Sequence, residues 1–267
     1  MLEINQISPD KIIQHKAHLE DFLKDELTAT ITNESWMTEW KMLARRFQLL
    51  KFKEMNNEDI RQYEWDPVEI ESIIRETISE VRRHIPIDNL QITIVPAIEF
   101  QHFKYQPQSL WTNAFTNSPG RIVIAVPPRP DKDFLQYLLA HETHHAYPEN
   151  PIYRLTLEQF SLIEWFKMEG TAEYFSLSLY PDKRWWRDNL PPEVEKSYWE
   201  QVKNYLYTTD DQLKSQLCFG SKEKGIPIFA GYSFALQLVN EFVQKNGLHR
   251  MVDLYDITTE ELIANYR

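Results

Sequence analysis

The sequence predicts an α+β protein, mostly helical, with one small mixed or antiparallel sheet flanked by N- and C-terminal helices. Three observations predict it. Apolar residues recur at helical spacing through the first 85 or so positions. Two short β-branched runs, LQITIV at 90–95 and RIVIAV at 121–126, mark strands in the middle. Segments with a wide apolar face return after Asp131 and continue to the C-terminus. The 267 residues suit one domain. It divides into an N-terminal helical layer over about 1–86, a sheet with two further helices over 87–180, and a C-terminal helical part over 181–267. No internal repeat, low-complexity tract or linker interrupts it.

The elements follow in order. Ile12 to Leu27 carries Ile12, Ile13, Leu19, Phe22, Leu23 and Leu27 on one amphipathic face, with Ser8 or Asp10 to cap it and Pro9 near its first turn. Ser35 to Phe52 repeats the pattern with Trp36, Trp40, Leu43, Phe47 and Leu50. Pro67 to Ile85 is a third helix, built on Val68, Ile70, Ile73, Ile74, Ile78 and Val81 and stopped by Pro86. His15, His18 and His84 stand among charged residues here and read as surface positions.

Leu90 to Val95 is then a strand, Phe100 to Gln108 is irregular, and Ser109 to Thr116 is a second strand. Asn117-Ser118-Pro119-Gly120 is a turn cluster before the clearest strand, Arg121 to Val126. Pro127, Pro128 and Pro130 end that strand.

Asp131 is an N-cap for the helix FLQYLLAHETHHA, and Pro148 prevents its continuation. Phe134, Leu138, His141 and His145 fall on one face of it. The run His141-Glu142-Thr143-His144-His145 reads H-E-x-x-H. Two imidazoles at i and i+4 on a helix can bind one zinc ion from one side, and Glu142 reaches the attacking water, not the metal, as a candidate general base. His144 points about 100° away from His145 and suits a hydrogen-bonding or rim role. A hairpin ending in RIVIAV before such a helix is the element order of zinc metallopeptidases. An edge strand there lines the cleft and pairs with extended substrate. RIVIAV is either that strand or an ordinary strand of the sheet, and the sequence leaves open whether its edge is free.

Catalytic zinc usually takes three protein ligands and leaves a fourth position open. The next helix, Thr156 to Leu179, offers Glu164, Glu169 and Glu173. Glu169 sits in EGTAE, where Gly170 and Ala172 would let this helix cross closely behind the first. Glu173 is one turn further along the same face and suits a hydrogen bond to a ligand histidine. Glu164 stands at the spacing of one well-known peptidase group, in a local context, LIEWF, that matches that group poorly.

Downstream, Trp185 and Trp186 lie in a loop with Lys183, Arg184 and Arg187. Pro191 to Tyr207 is a helix, Phe219 to Phe229 a loop, and Gly231 to Lys245 a strongly apolar helix. Two short helices close the chain, near Leu248–Leu254 and Thr259–Tyr266. Tyr232 is a candidate phenol donor to an oxyanion, or a core tyrosine. His102 and His249 read as ordinary polar residues.

The formal net charge of -11 argues against nucleic acid as a partner. One cysteine, Cys218, allows no intramolecular disulfide and no cysteine zinc site, and reads as a buried thiol. No basic segment followed by an apolar run begins the sequence, and no stretch has the length of a membrane span. A cytoplasmic protein without a membrane partner is the expectation.

The H-E-x-H-H run, the downstream T-L-x-x-x … E-G-x-A-E-x-F and the distal G-I-P-x-x-x-G-Y together resemble the YjaZ-like bacterial family of predicted Zn-dependent proteases. That family is itself similar to the gluzincins, where H-E-x-x-H is joined by a glutamate in an E-G-x-A context. The resemblance spans about Arg121 to Lys245. It implies a zincin-like metallopeptidase core with Zn2+ held by His141, His145 and Glu169, Glu142 as the base, and a peptide or protein substrate. The G-x-M-E-N motif by which gluzincin aminopeptidases hold a substrate amino terminus is absent, so aminopeptidase activity is not implied. A zinc hydrolase of a non-peptide amide and a non-catalytic zinc-binding protein are the rival readings.

Overall fold

A computed structural model describes residues 1–98, 111–184 and 189–266, without the side chain of Asn265. They form two compact units, Met1–Pro148 and Glu149–Arg267.

The first unit begins with a strand, β1 (Leu2–Gln6), inside the segment expected to be wholly helical. Only Leu2 and Ile4 are apolar in LEINQ, so no strand pattern stood out. Helix α1 (Pro9–Gln14) follows, with Ser8 accepting from the Lys11 amide at 3.3 Å. A 3-10 turn (Lys16–His18) separates it from α2 (Leu19–Thr28). The continuous helix expected over Ile12–Leu27 breaks there because Gln14 to His18 places no large apolar residue toward the core. Helix α3 (Trp40–Arg46) starts later than expected and ends two residues before Gln48, whose φ of 56° is left-handed. A 3-10 turn (Leu49–Lys53), α4 (Asn57–Arg61) and α5 (Pro67–Val81) complete the layer. Asp66 caps α5 by accepting from Val68 N at 3.0 Å and Glu69 N at 2.9 Å.

Strands β2 (Leu90–Pro96), β3 (Asn113–Ser118) and β4 (Arg121–Val126) join β1 in a mixed sheet of order β1-β2-β4-β3. β1 and β4 are parallel to β2, and β3 is antiparallel to β4. RIVIAV therefore occupies an interior position with both edges paired, and β3 is the edge strand beside it. The run of apolar residues explains this: an interior strand buried on both faces has no need to alternate. Helix α6 (Lys132–His145) packs beside α5 and against β3.

The sheet has a layer on each face. Val95, Val123 and Ala125 point into a core with Ile12, Leu19, Leu23, Leu27, Leu43 and Phe52 of the N-terminal segments. Successive residues of a strand point to opposite faces, so Ile122 and its pairing partner Thr116 face the other way. That is the face α6 covers.

The second unit is helical: α7 (Leu162–Leu179), α8 (Pro192–Val202), α9 (Asp211–Phe219), α10 (Ala230–Asn246) and α11 (Thr259–Asn265), with a 3-10 turn at Met251–Asp256. α7 starts six residues later than the sequence pattern suggested, and Leu157 in the preceding turn is 71% exposed. The sequence reading assigned no element to 211–218, where α9 begins with Asp210 accepting from Leu213 N at 2.7 Å. Phe166, Tyr198 and Phe234 pack edge-to-face, with centroids 5.2 to 6.4 Å apart.

Gly170 has a role within the second unit. A Cβ there would lie 2.3 Å from the Ala235 carbonyl oxygen, so this glycine lets α10 approach α7. Phe100–Gln108 with His102, and Trp185, Trp186 and Arg187, lie outside the described residues. Among the described residues no helix is long and apolar enough to cross a membrane.

Candidate metal centre

The site is built from the C-terminal half of α6. Asp131 caps the helix by accepting from Phe134 N at 3.0 Å. Phe134, Leu138 and His141 share one face and are buried, as is every residue from Phe134 to His144. His145, one turn on, is half-buried. The two imidazoles meet with Nε2 atoms 2.9 Å apart and ring planes nearly perpendicular, at 83°. Two nitrogens this close on one helix face have the spacing of neighbouring ligands of a single ion. The helix end is tied down: Gly120 N, in the β3–β4 turn, donates to Ala146 O at 2.8 Å.

Glu142 is buried beside the pair, with 6% of its surface exposed. The hydroxyl of Thr116 on β3 lies 2.6 Å from its Oε2 and 2.8 Å from its backbone oxygen. Sequence reading did not find Thr116. No local motif announces it, because strand register and helix docking create the contact.

His144 is fully buried, not at a rim. Burial first, then the neighbouring His145 and His141, hold its imidazole well below the usual histidine range, so it is neutral at pH 7.

The three glutamates of α7 separate. Glu169 is buried at 7% exposure, and Glu173 is fully buried. Glu164 is half-buried near the start of α7. Burial pushes its carboxyl up, Lys167 draws it down and Glu260 pushes it up again, so it belongs with that charged group. Within the first unit His141 and His145 form a pair that could share a metal ion, and Glu169 is a buried carboxylate of the second unit. Two imidazoles and a carboxylate, buried or half-buried, are a donor set that catalytic zinc accepts. These residues fit the ion.

Tyr232 is half-buried on α10, its ring against Trp165 at 5.1 Å and against Phe219 and Phe229 at 5.9 Å each. Cys218 is buried, and burial followed by the Glu169 carboxylate pushes its thiol well above the ordinary range. His15 and His18 are exposed, as expected, whereas His84 is half-buried; His249 is exposed.

A family model described as Predicted Zn-dependent protease (DUF2268) matches residues 70–264. No curated protein and no solved structure matches the chain.

Proposed function

The chain belongs to this family of predicted Zn-dependent proteases, and on that premise we propose that it is a zinc metallopeptidase that cleaves peptide bonds with Glu142 as general base. His141, His145 and Glu169 would hold the ion. Bound zinc polarises the scissile carbonyl and makes water nucleophilic at neutral pH. The remaining work falls to the chain. Glu142 takes a proton from the attacking water and hands it to the leaving amine. Tyr232 is the proposed phenol donor to the developing oxyanion. β3, the edge strand on which Thr116 stands, is the candidate to pair with extended substrate in place of RIVIAV.

The observation that supports this reading most is the pair of Nε2 atoms 2.9 Å apart on the helix that also carries the buried Glu142. The test is metal analysis of protein purified without chelator, followed by digestion of a peptide library with wild type and Glu142→Gln. Zinc in both proteins and cleavage by wild type alone are the expected results. Absence of zinc sinks the proposal. A function that survives Glu142→Gln with zinc bound makes the site non-catalytic. An uncleaved library beside hydrolysis of a small amide moves the substrate to a non-peptide class.

A further inference from the structure

We propose that Thr116 is a positioning residue for Glu142, whose hydroxyl fixes the carboxylate in the rotamer from which it serves as base. The proposal rests on the peptidase reading above and assigns a role in it to a strand residue.

The geometry is specific. The Thr116 hydroxyl contacts the glutamate twice, at backbone oxygen and at Oε2, 2.8 and 2.6 Å away. Docking β3 on α6 needs only the first contact. The second restrains the far end of a side chain that otherwise rotates about three bonds. The hydroxyl has one proton to share between the two oxygens, and the shorter contact, to Oε2, has the length of a charge-assisted bond, about twice as strong as a neutral one. With Oε2 engaged, Oε1 is the oxygen left to meet water.

The platform is stiff. Thr116 pairs with Ile122 of β4, and the register slips between Thr116 and Ser118, leaving Asn117 as a bulge. Asn117 is anchored in turn: its backbone oxygen accepts from Trp36 N at 2.8 Å, and its side-chain oxygen accepts from Met37 N at 2.8 Å. Thr116 is only 5% exposed, so water competes little for its hydroxyl. A β-branched residue in a strand also has few side-chain rotamers to choose among. Bulges beside active sites commonly re-aim a side chain, and this one flanks the residue that meets the base.

Thr116→Val keeps the shape and removes the hydroxyl. In the zinc-loaded full chain, kcat on a cleaved peptide is expected to fall by roughly 10- to 100-fold, the scale of a misplaced catalytic group. KM, zinc content and Tm should stay close to wild type, and Thr116→Ser should recover most of kcat. In a Glu142→Asp background, whose shorter side chain falls short of Thr116, adding Thr116→Val should change kcat by less than about twofold. A readout independent of activity is the crystal structure of the metal-free proteins: one Glu142 rotamer in wild type, several in Thr116→Val. An unchanged kcat, an equal loss in both backgrounds, or a loss that tracks zinc content or Tm overturns the proposal. If Thr116→Val does not fold, Thr116→Ala is read by the same criteria. Failure of the peptidase reading looks different, because wild type itself then cleaves no peptide.

Discussion

The amide of Gly120 donates to the carbonyl of Ala146, one residue beyond His145. One turn thereby fixes the end of α6 and the start of two strands, since the Gly120 carbonyl also accepts from Gln91 N at 2.8 Å. Gly120 has φ +65°, and a Cβ there would stand 2.7 Å from the Asn89 oxygen. Left-handed backbone costs a non-glycine residue about 1–2 kcal/mol, and overpacking adds about 1–3 kcal/mol. Gly120→Ala should therefore destabilise the protein by roughly 2–5 kcal/mol in urea unfolding. Zinc affinity should weaken with it, because His145 loses its fixed helix end. Unaltered stability would show that the turn does not set the helix end.

The three glutamates of α7 predict three different outcomes in a zinc competition titration. Glu169→Ala removes a donor and should abolish tight binding. Glu173→Ala should cost about 10- to 100-fold in affinity if its buried carboxylate orients a ligand histidine. Glu164→Ala should leave affinity unchanged, since that carboxyl belongs with Lys167 and Glu260. Tight zinc binding by Glu169→Ala would remove it from the ligand set.

What could be read from sequence had local causes. Asp131 and Pro148 bound α6, and the face shared by Phe134, Leu138 and His141 is a property of one helix. RIVIAV declared itself a strand, but its interior place depended on β2, about 30 residues earlier in the chain. β1 was missed because the alternation in LEINQ carries only two apolar residues, Leu2 and Ile4, and its partner begins at Leu90. EGTAE drew attention to Glu169, yet its glycine serves α10. Thr116 was hidden for the same reason: its meaning lies in register, and register is tertiary information.

The C-terminal helix α11 carries a pH-dependent cap. Thr258 Oγ1 accepts from Glu261 N at 3.2 Å, and Glu261 Oε2 accepts from Thr258 N at 2.8 Å. Bonds from the Thr258 backbone and then its side chain hold the Glu261 carboxyl below its ordinary value of 4.5. A depressed folded pKa adds stability above the unfolded value and loses it as pH falls through the folded one. Thr258→Ala should cost about 1 kcal/mol at pH 7. The gap to wild type should narrow as the pH drops below 4.5. A gap independent of pH would mean that the Thr258 hydroxyl does not act on the Glu261 charge, since alanine keeps the backbone N–H that bonds the same carboxylate.

Cys218 offers a probe of the second unit. It is the sole cysteine of the chain, 1% exposed, on α9. Burial and the Glu169 carboxylate raise its thiol well above the ordinary range, and Lys214 only partly offsets them. Thiolate is the reactive form, so the native thiol should resist an aromatic disulfide reagent at pH 8, whereas denatured protein should take up one equivalent at once. Reaction of the native protein then requires opening of the helices around α9. A ligand that binds the folded state suppresses such opening by mass action. With Glu169 among the ligands, zinc should slow labelling in wild type and have little effect in Glu169→Ala. Prompt labelling of native protein would show that Cys218 is accessible without opening. Equal protection by zinc in both proteins would place the ion away from Glu169.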